Sequence, residues 1–277
     1  MQFLREHFAK QSASLKVNSF ICNLVFNMIR STFYGILIVL ILVQFNEGKL
    51  PADIKPCKAG DKTCLVETIN KIIETKYKGD PDLNLISIDP LHIDHMEIKQ
   101  PKSSAVSVDL SFRNSDVFGY KTFRAYKVRG FKESPEGKHV VYFKGPYASL
   151  VGEYAIDGKI LILPIVGKGT SNITLENVYV QVLIDAGSKV KDGATYMDVK
   201  NVKLNLNTTK VDFKMDNLFN GDKELGDNLN KFMNENWMDI YSEIRQGVLD
   251  GFGKVYTEFI RNLFASHPYN ELIEGGN

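Results

Sequence analysis

From Asp222 to Pro268 the chain places an apolar residue at every third or fourth position: Leu225, Leu229, Met233, Trp237, Ile240, Ile244, Val248, Phe252, Val255, Phe259 and Leu263. That is the helical period. Roughly forty residues at about 1.5 Å each predict one long C-terminal helix of about 60 Å. A helix apolar around so much of its circumference has to be covered on most sides. The rest of the chain must therefore supply something that wraps it. Gly247, Gly251 and Gly253 each weaken a helix by about 1 kcal/mol relative to alanine, so a kink, or a group packed close to the backbone, is expected there.

The wrapping surface is legible upstream. From Leu85 to about Phe213 the apolar period shortens to two: Val106, Val108, Leu110 and Phe112 alternate with Ser107, Asp109 and Ser111, and Tyr196 to Leu206 repeats the pattern more loosely. One dry and one wet face per segment indicates antiparallel strands. Asp157-Gly158, between the strand-like runs 154–156 and 159–163, predicts a type I′ hairpin turn, and Pro164 is expected to end or bulge the second strand. Ahead of the strands, Leu65, Ile69, Ile72 and Ile73 define a short helix stopped by Gly79, Asp80 and Pro81. The expected fold is α+β, a short N-terminal helix followed by a strongly curved antiparallel sheet around the long helix, in one domain over residues 49–277.

Residues 1–48 have a different character. Phe33 to Phe45 is a run of 13 residues without a charge, preceded by Arg30. That length suits the apolar core of a signal peptide and falls short of the roughly 18–20 residues of a membrane span. Cleavage near Gly48 is expected, with Met28 as an alternative start giving a compact leader, and an uncleaved anchor as the competing reading. Cys22 lies in this segment, which leaves Cys57 and Cys64 as an even pair in an exported chain, read as one disulfide closing a short loop. Two free thiols are the alternative; a structural zinc site would need four ligands. Asn172-Ile173-Thr174 and Asn207-Thr208-Thr209 are glycosylation sequons, at Asn172 and Asn207.

Beyond residue 48 the chain carries 30 basic and 31 acidic residues. So even a balance argues against nucleic acid or anionic lipid headgroups as partners. His92 and His95, with Asp89 and Asp94, invite a metal reading, but residues three apart on a strand point to opposite faces, and no metal is expected. Gly167-Lys168-Gly169-Thr170 resembles a phosphate loop only in composition, since no helix follows it; a turn is expected. Gly-x-Ser-x-Gly, His-Glu-x-x-His and Cys-x-x-Cys are all missing from the sequence, so neither an enzyme nor a cofactor is indicated.

Several segments carry a likeness to a known family. Ser87-Ile88-Asp89-Pro90-Leu91-His92-Ile93, Phe143-Lys144-Gly145-Pro146-Tyr147, Gly152-Glu153-Tyr154 with Asp157 to Pro164, and Asn217 to Lys223 running on to Asn234-Glu235-Asn236-Trp237 resemble the signature segments of the Takeout and juvenile-hormone-binding family. The early pair Cys57 and Cys64 matches that family's N-terminal disulfide. The likeness implies a tubular lipid-binding roll around an apolar tunnel holding one elongated ligand, such as a terpenoid or fatty acid. Its wall is expected to take Phe143, Tyr147 and Tyr154 from the strands and Phe232, Met233, Trp237, Ile240, Ile244, Val248 and Phe252 from the long helix. Implied with it are secretion, no stable membrane insertion after cleavage, and room for a cell-surface receptor or other extracellular protein as partner. The competing functions are an extracellular interaction or signalling module with a filled core, and a defence protein recognising bacterial lipid.

Overall fold

The computed structural model of the chain describes residues 50–99, 106–160 and 163–276. The apolar run, the expected cleavage site and Met28 lie outside the described residues.

The spine of the fold is a pair of very long antiparallel strands, β5 (Gly137–Ile160) and β6 (Leu163–Lys191). Each has two neighbours in succession on its outer edge. β5 pairs first with β4 (Arg124–Arg129) and then with β3 (Val106–Phe118), which in turn pairs with β2 (Leu91–Lys99). β6 pairs first with β8 (Lys210–Met215) and then with β7 (Ala194–Asn207). The two changes of partner coincide midway, where Pro146 in β5 lies opposite Asn177 in β6, a residue with φ 49°. Extended residues rise about 3.3 Å each, so the 24 residues of β5 would reach about 80 Å if straight. Bulges between Arg113 and Asp116, Ala125 and Lys127, and Asp185 and Ala186 bend and twist the sheet.

The reversal between β5 and β6 is displaced from where local turn propensity puts it. Asp157-Gly158 is not a turn: both residues run on in β5, with Asp157 paired to Asp109 on one side and Val166 on the other. Gly158 has φ 149°, and a side chain there would collide with the backbone of Ser107. Glycine is needed for close strand approach, and the pairing of β5 with β6 continues past it as far as Ile160 opposite Leu163. Pro164 is the second residue of β6 and does not end it, at a position where β5 is the sole ladder partner among the described residues. Gly167 to Thr170 is strand as well, not a turn. A Cβ on Gly167 would meet the Tyr154 hydroxyl at 2.8 Å, and one on Gly169 would touch the backbone oxygen of Asp216.

The C-terminal helical region is two helices, α2 (Lys223–Glu235) and α3 (Trp237–Phe264), where one was expected. The break is at Asn236, with φ −111° and ψ 24°. Each helix serves a different sheet edge. Asn230 and Asn234 of α2 both accept from and donate to the strand backbone of β8: Asn230 at Met215 (2.9 and 2.9 Å), Asn234 at Phe213 (2.7 and 2.9 Å). Four helical residues advance about 6.0 Å and two strand residues about 6.8 Å, so the two amides keep step with alternate strand positions. The edge of β8 is thereby closed to pairing with another chain.

The 28 residues of α3, about 42 Å long, do the same for β7. Arg261 Nε donates to Val199 O (3.1 Å), Arg245 Nε and Tyr241 Oη donate to Leu206 O (both 3.2 Å), and Val202 N donates to Thr257 Oγ1 (2.9 Å). The helix runs unbroken through its glycines. They mark close approach instead: a Cβ on Gly253 would lie 2.9 Å from Val202 O.

At the other end, α1 (Lys62–Thr75) begins at Asp61, whose carboxylate accepts from Thr63 N (3.1 Å) and Cys64 N (3.0 Å). A disulfide joins Cys57 to Cys64, with Cα atoms 5.7 Å apart. Cys57 belongs to β1 (Cys57–Lys58), which pairs in parallel with β9 (Ile273–Glu274) just after the short helix α4 (Tyr269–Leu272). The bond therefore ties the first helix to the last segment of the chain.

Candidate ligand-binding site

Two apolar cavities lie inside this roll. The larger, of about 310 Å³, is bounded by α1, the C-terminal half of α3 and strands β5, β6 and β7. The smaller, of about 140 Å³, lies between the N-terminal half of α3 and β2, β3, β5, β6 and β8. They meet. Tyr120, Phe123, Val180, Leu204 and Tyr256 belong to the walls of both, so the cavities adjoin at an aromatic waist. Ligand pockets commonly measure about 300–1,000 Å³, and a cavity of about 150 Å³ has room for one benzene. The larger space alone reaches the lower limit of that range.

Val180, Leu204 and Tyr256 come from periodic segments, but Tyr120 and Phe123 lie outside any. Tyr120 lies in a short 3-10 turn, Tyr120–Thr122, held by Asp89: its carboxylate accepts from Lys121 N at 2.9 Å and Gly119 N at 3.4 Å. The Tyr120 ring meets Phe123 edge-on at 5.4 Å and Tyr256 at 6.4 Å. Phe123 in turn fills the space that a side chain on Gly145 would take. Burial pushes the Tyr120 phenol up to about 12 and the Tyr256 phenol well above its ordinary value. Both are neutral at physiological pH.

The residues picked out from the sequence divide. Met233, Ile240, Ile244, Val248 and Phe252 line the smaller cavity and Phe143 the larger. Phe232 and Trp237 are half-buried and pack on the surrounding core without lining either space. Tyr147 is 38% exposed. Tyr154 is buried and donates to Asp216 O at 2.7 Å, holding the segment between β8 and α2. Asn172 and Asn207 are both exposed, the first within β6 and the second at the end of β7. His92 and His95 both point outward, because the alternation slips between Ile93 and Met96; His92 reaches Asp116 (2.8 Å) and Asp94 (3.3 Å), and His95 reaches Glu97 (3.3 Å). Among the described residues no group of three or more His, Cys, Asp or Glu side chains is placed to hold a metal ion.

The description Haemolymph juvenile hormone binding protein (JHBP) belongs to a family model that matches residues 36–274. The chain belongs to that family. Its members are carriers of hydrophobic ligands, not enzymes. The circadian clock-controlled protein daywake of Drosophila melanogaster is 28% identical over 238 residues, covering 84% of this chain and 91% of the relative. Daywake of Drosophila yakuba is 26% identical over 240 residues with the same coverage. The crystal structure of Epiphyas postvittana Takeout 1 superposes with a TM-score of 0.68 at 24% identity, covering 80% of this chain and all of the other. That last likeness shows the shared fold: a large antiparallel sheet rolled around a C-terminal helix.

Proposed function

We propose that this member of the family is a secreted carrier which takes one elongated hydrophobic molecule, a terpenoid such as juvenile hormone, a fatty acid or a similar compound, out of water and into the adjoining cavities. The observation that carries the reading is the shared aromatic waist: two apolar spaces set against each other across one ring of side chains suit a long narrow guest better than a compact one. Burial supplies the affinity. Removing about 300 Å² of apolar ligand surface from water is worth roughly 7 kcal/mol before association costs. The even charge of the body supports uptake governed by burial more than by headgroup charge. Secretion is supported by the apolar run at Phe33–Phe45 ahead of Gly48, the disulfide and the exposure of both sequons.

The test is native mass spectrometry of protein purified from its source, with organic extraction of whatever it carries, followed by titration with chains of ten to sixteen carbons. Affinity should rise with chain length, by up to about 0.8 kcal/mol per methylene, and depend weakly on salt. Protein that holds no lipid and takes up none of the chains is a solid-cored module, and the carrier reading fails.

A further inference from the structure

His267 occupies the bend between α3 and α4, is 1% exposed and forms part of the wall of the larger cavity. Its two ring nitrogens are not equivalent. Nδ1 lies 2.8 Å from the Ser266 hydroxyl oxygen. Among the described residues, Nε2 is a buried side-chain polar atom with no hydrogen-bond partner. Buried polar groups are normally paired, and others in this interior are. His139 accepts from Phe131 N at Nδ1 and donates to Pro135 O from Nε2, both at 2.8 Å. Thr257 bridges Val202 N and Gly253 O. At the larger cavity the Thr68 hydroxyl sits 3.4 Å from Cys57 Sγ.

The neighbours of Ser266 determine which kind of group Nε2 is. A serine hydroxyl has one hydrogen to give. It lies 2.8 Å from Leu263 O and 3.5 Å from Leu83 O, and carbonyl oxygens only accept. The hydroxyl therefore donates to Leu263 and turns a lone pair towards His267. Nδ1 must then carry a hydrogen, and with one hydrogen on the imidazole Nε2 is left as an acceptor. What it lacks is a donor.

We propose that His267 Nε2 is the polar anchor of the cavity and accepts a hydrogen bond from a hydroxyl at one end of the bound molecule. The carrier therefore favours long-chain or terpenoid alcohols over the ethers, esters and epoxides of the same skeleton. This rests on the carrier reading and adds the end-group chemistry. An ester or ether oxygen seated at the same place has no hydrogen to offer, and both it and Nε2 stay unpaired. Acids give a less direct comparison, because the exposed Lys55 at the wall of the same cavity offers an ammonium to a carboxylate.

The test pairs hexadecan-1-ol with its methyl ether, which keeps the oxygen and removes its hydrogen, in competition against a fluorescent fatty-acid probe bound to the full chain. The alcohol should bind the wild type about tenfold more tightly, a difference of about 1.4 kcal/mol at 25 °C, and in His267→Leu the two should bind within about twofold of each other. Equal affinities in the wild type, as when a water satisfies Nε2, overturn the proposal, and so does a preference that persists in His267→Leu. Should that variant not fold, the imidazole ¹⁵N signals of the wild type decide. Saturation with the alcohol must shift Nε2, and an unmoved signal sinks the idea. Failure of both ligands to bind the wild type is a different result, and it is the carrier reading that falls with it.

Discussion

Val180→Phe tests whether the two cavities act as one site. Val180 lies in β6, in the walls of both spaces, so a phenyl ring there projects into the waist between Tyr120 and Leu204 and divides the site. The size of the effect follows from what is cut off. The smaller cavity, about 140 Å³, is close to the volume that accepts one benzene, about six carbons of ligand. At about 0.8 kcal/mol per buried methylene, six carbons are worth at most about 5 kcal/mol. The cost of ordering that part of the chain offsets some of this, leaving about 3 kcal/mol, or roughly a hundredfold in affinity. A sixteen-carbon alcohol that spans the waist should lose about that much, whereas a ten-carbon alcohol housed in the larger cavity should lose less than about threefold. Calorimetric titration of both alcohols into wild type and variant measures the difference, with circular dichroism to show that the fold persists and Leu204→Phe as a second plug. Equal losses for the two chain lengths, or none for the longer, would mean that the ligand never crosses the waist.

Three further outcomes follow from the fold. Replacing both Cys57 and Cys64 by serine opens a short loop worth about 2–3 kcal/mol in chain entropy; in a domain this size the melting temperature should fall by about 5–10 °C, and an unchanged calorimetric transition would show that the bond adds nothing. Burial depresses His139 below the usual histidine value, so the native state binds fewer protons than the unfolded chain. The stability from neutral His139 is complete above the unfolded value near pH 6.5 and is lost as pH falls below it. His92, held up by Asp116 at the surface, has the opposite sign. Between pH 7.5 and 5.5 the wild type should therefore lose more thermal stability than His139→Phe does, and parallel pH profiles refute the assignment. Gly253→Ala, which sets a methyl group 2.9 Å from the fixed carbonyl of Val202, should destabilise by about 1–3 kcal/mol in urea. Gly251→Ala meets the movable Met96 side chain at 3.3 Å and Glu97 O at an ordinary 3.5 Å, and should stay within about 1 kcal/mol of the wild type. If Gly253→Ala proves the more stable of the two, α3 is not seated on the edge of β7.

Hydrophobic period located the helices and strands because an amphipathic element reports its own buried face. It did not report what happens where two elements share one period. Met233, Trp237 and Ile240 continue the helical spacing across Asn236, so the apolar pattern is unbroken where the helix is broken. The break follows from polar residues: Asn230 and Asn234 bind α2 to the edge of β8, while Thr257 and Arg261 bind α3 to the edge of β7, and one straight helix does not follow both edges. Asp157-Gly158 misleads for a related reason. The preference for a turn is local, but β3 passes so close that glycine is required within a strand.

The same division explains which parts of the site were legible. Ile240, Ile244, Val248 and Phe252 were chosen by period and do line a cavity, because a wall of this kind asks only for an apolar side chain on the inward face. Tyr147 and Tyr154 lie in segments of family likeness and line neither space, although Phe143 in such a segment lines the larger; Trp237 keeps the helical period and lines neither. Residues in such segments perform tasks that few other side chains can. Asp89 accepts the backbone hydrogens of Gly119 and Lys121, Gly145 leaves room for the ring of Phe123, and Tyr154 holds the backbone of Asp216. Asp89 and Gly145 thus place Tyr120 and Phe123, which sit in a turn without periodicity and carry no signal of their own. The recognisable residues support the waist from outside it.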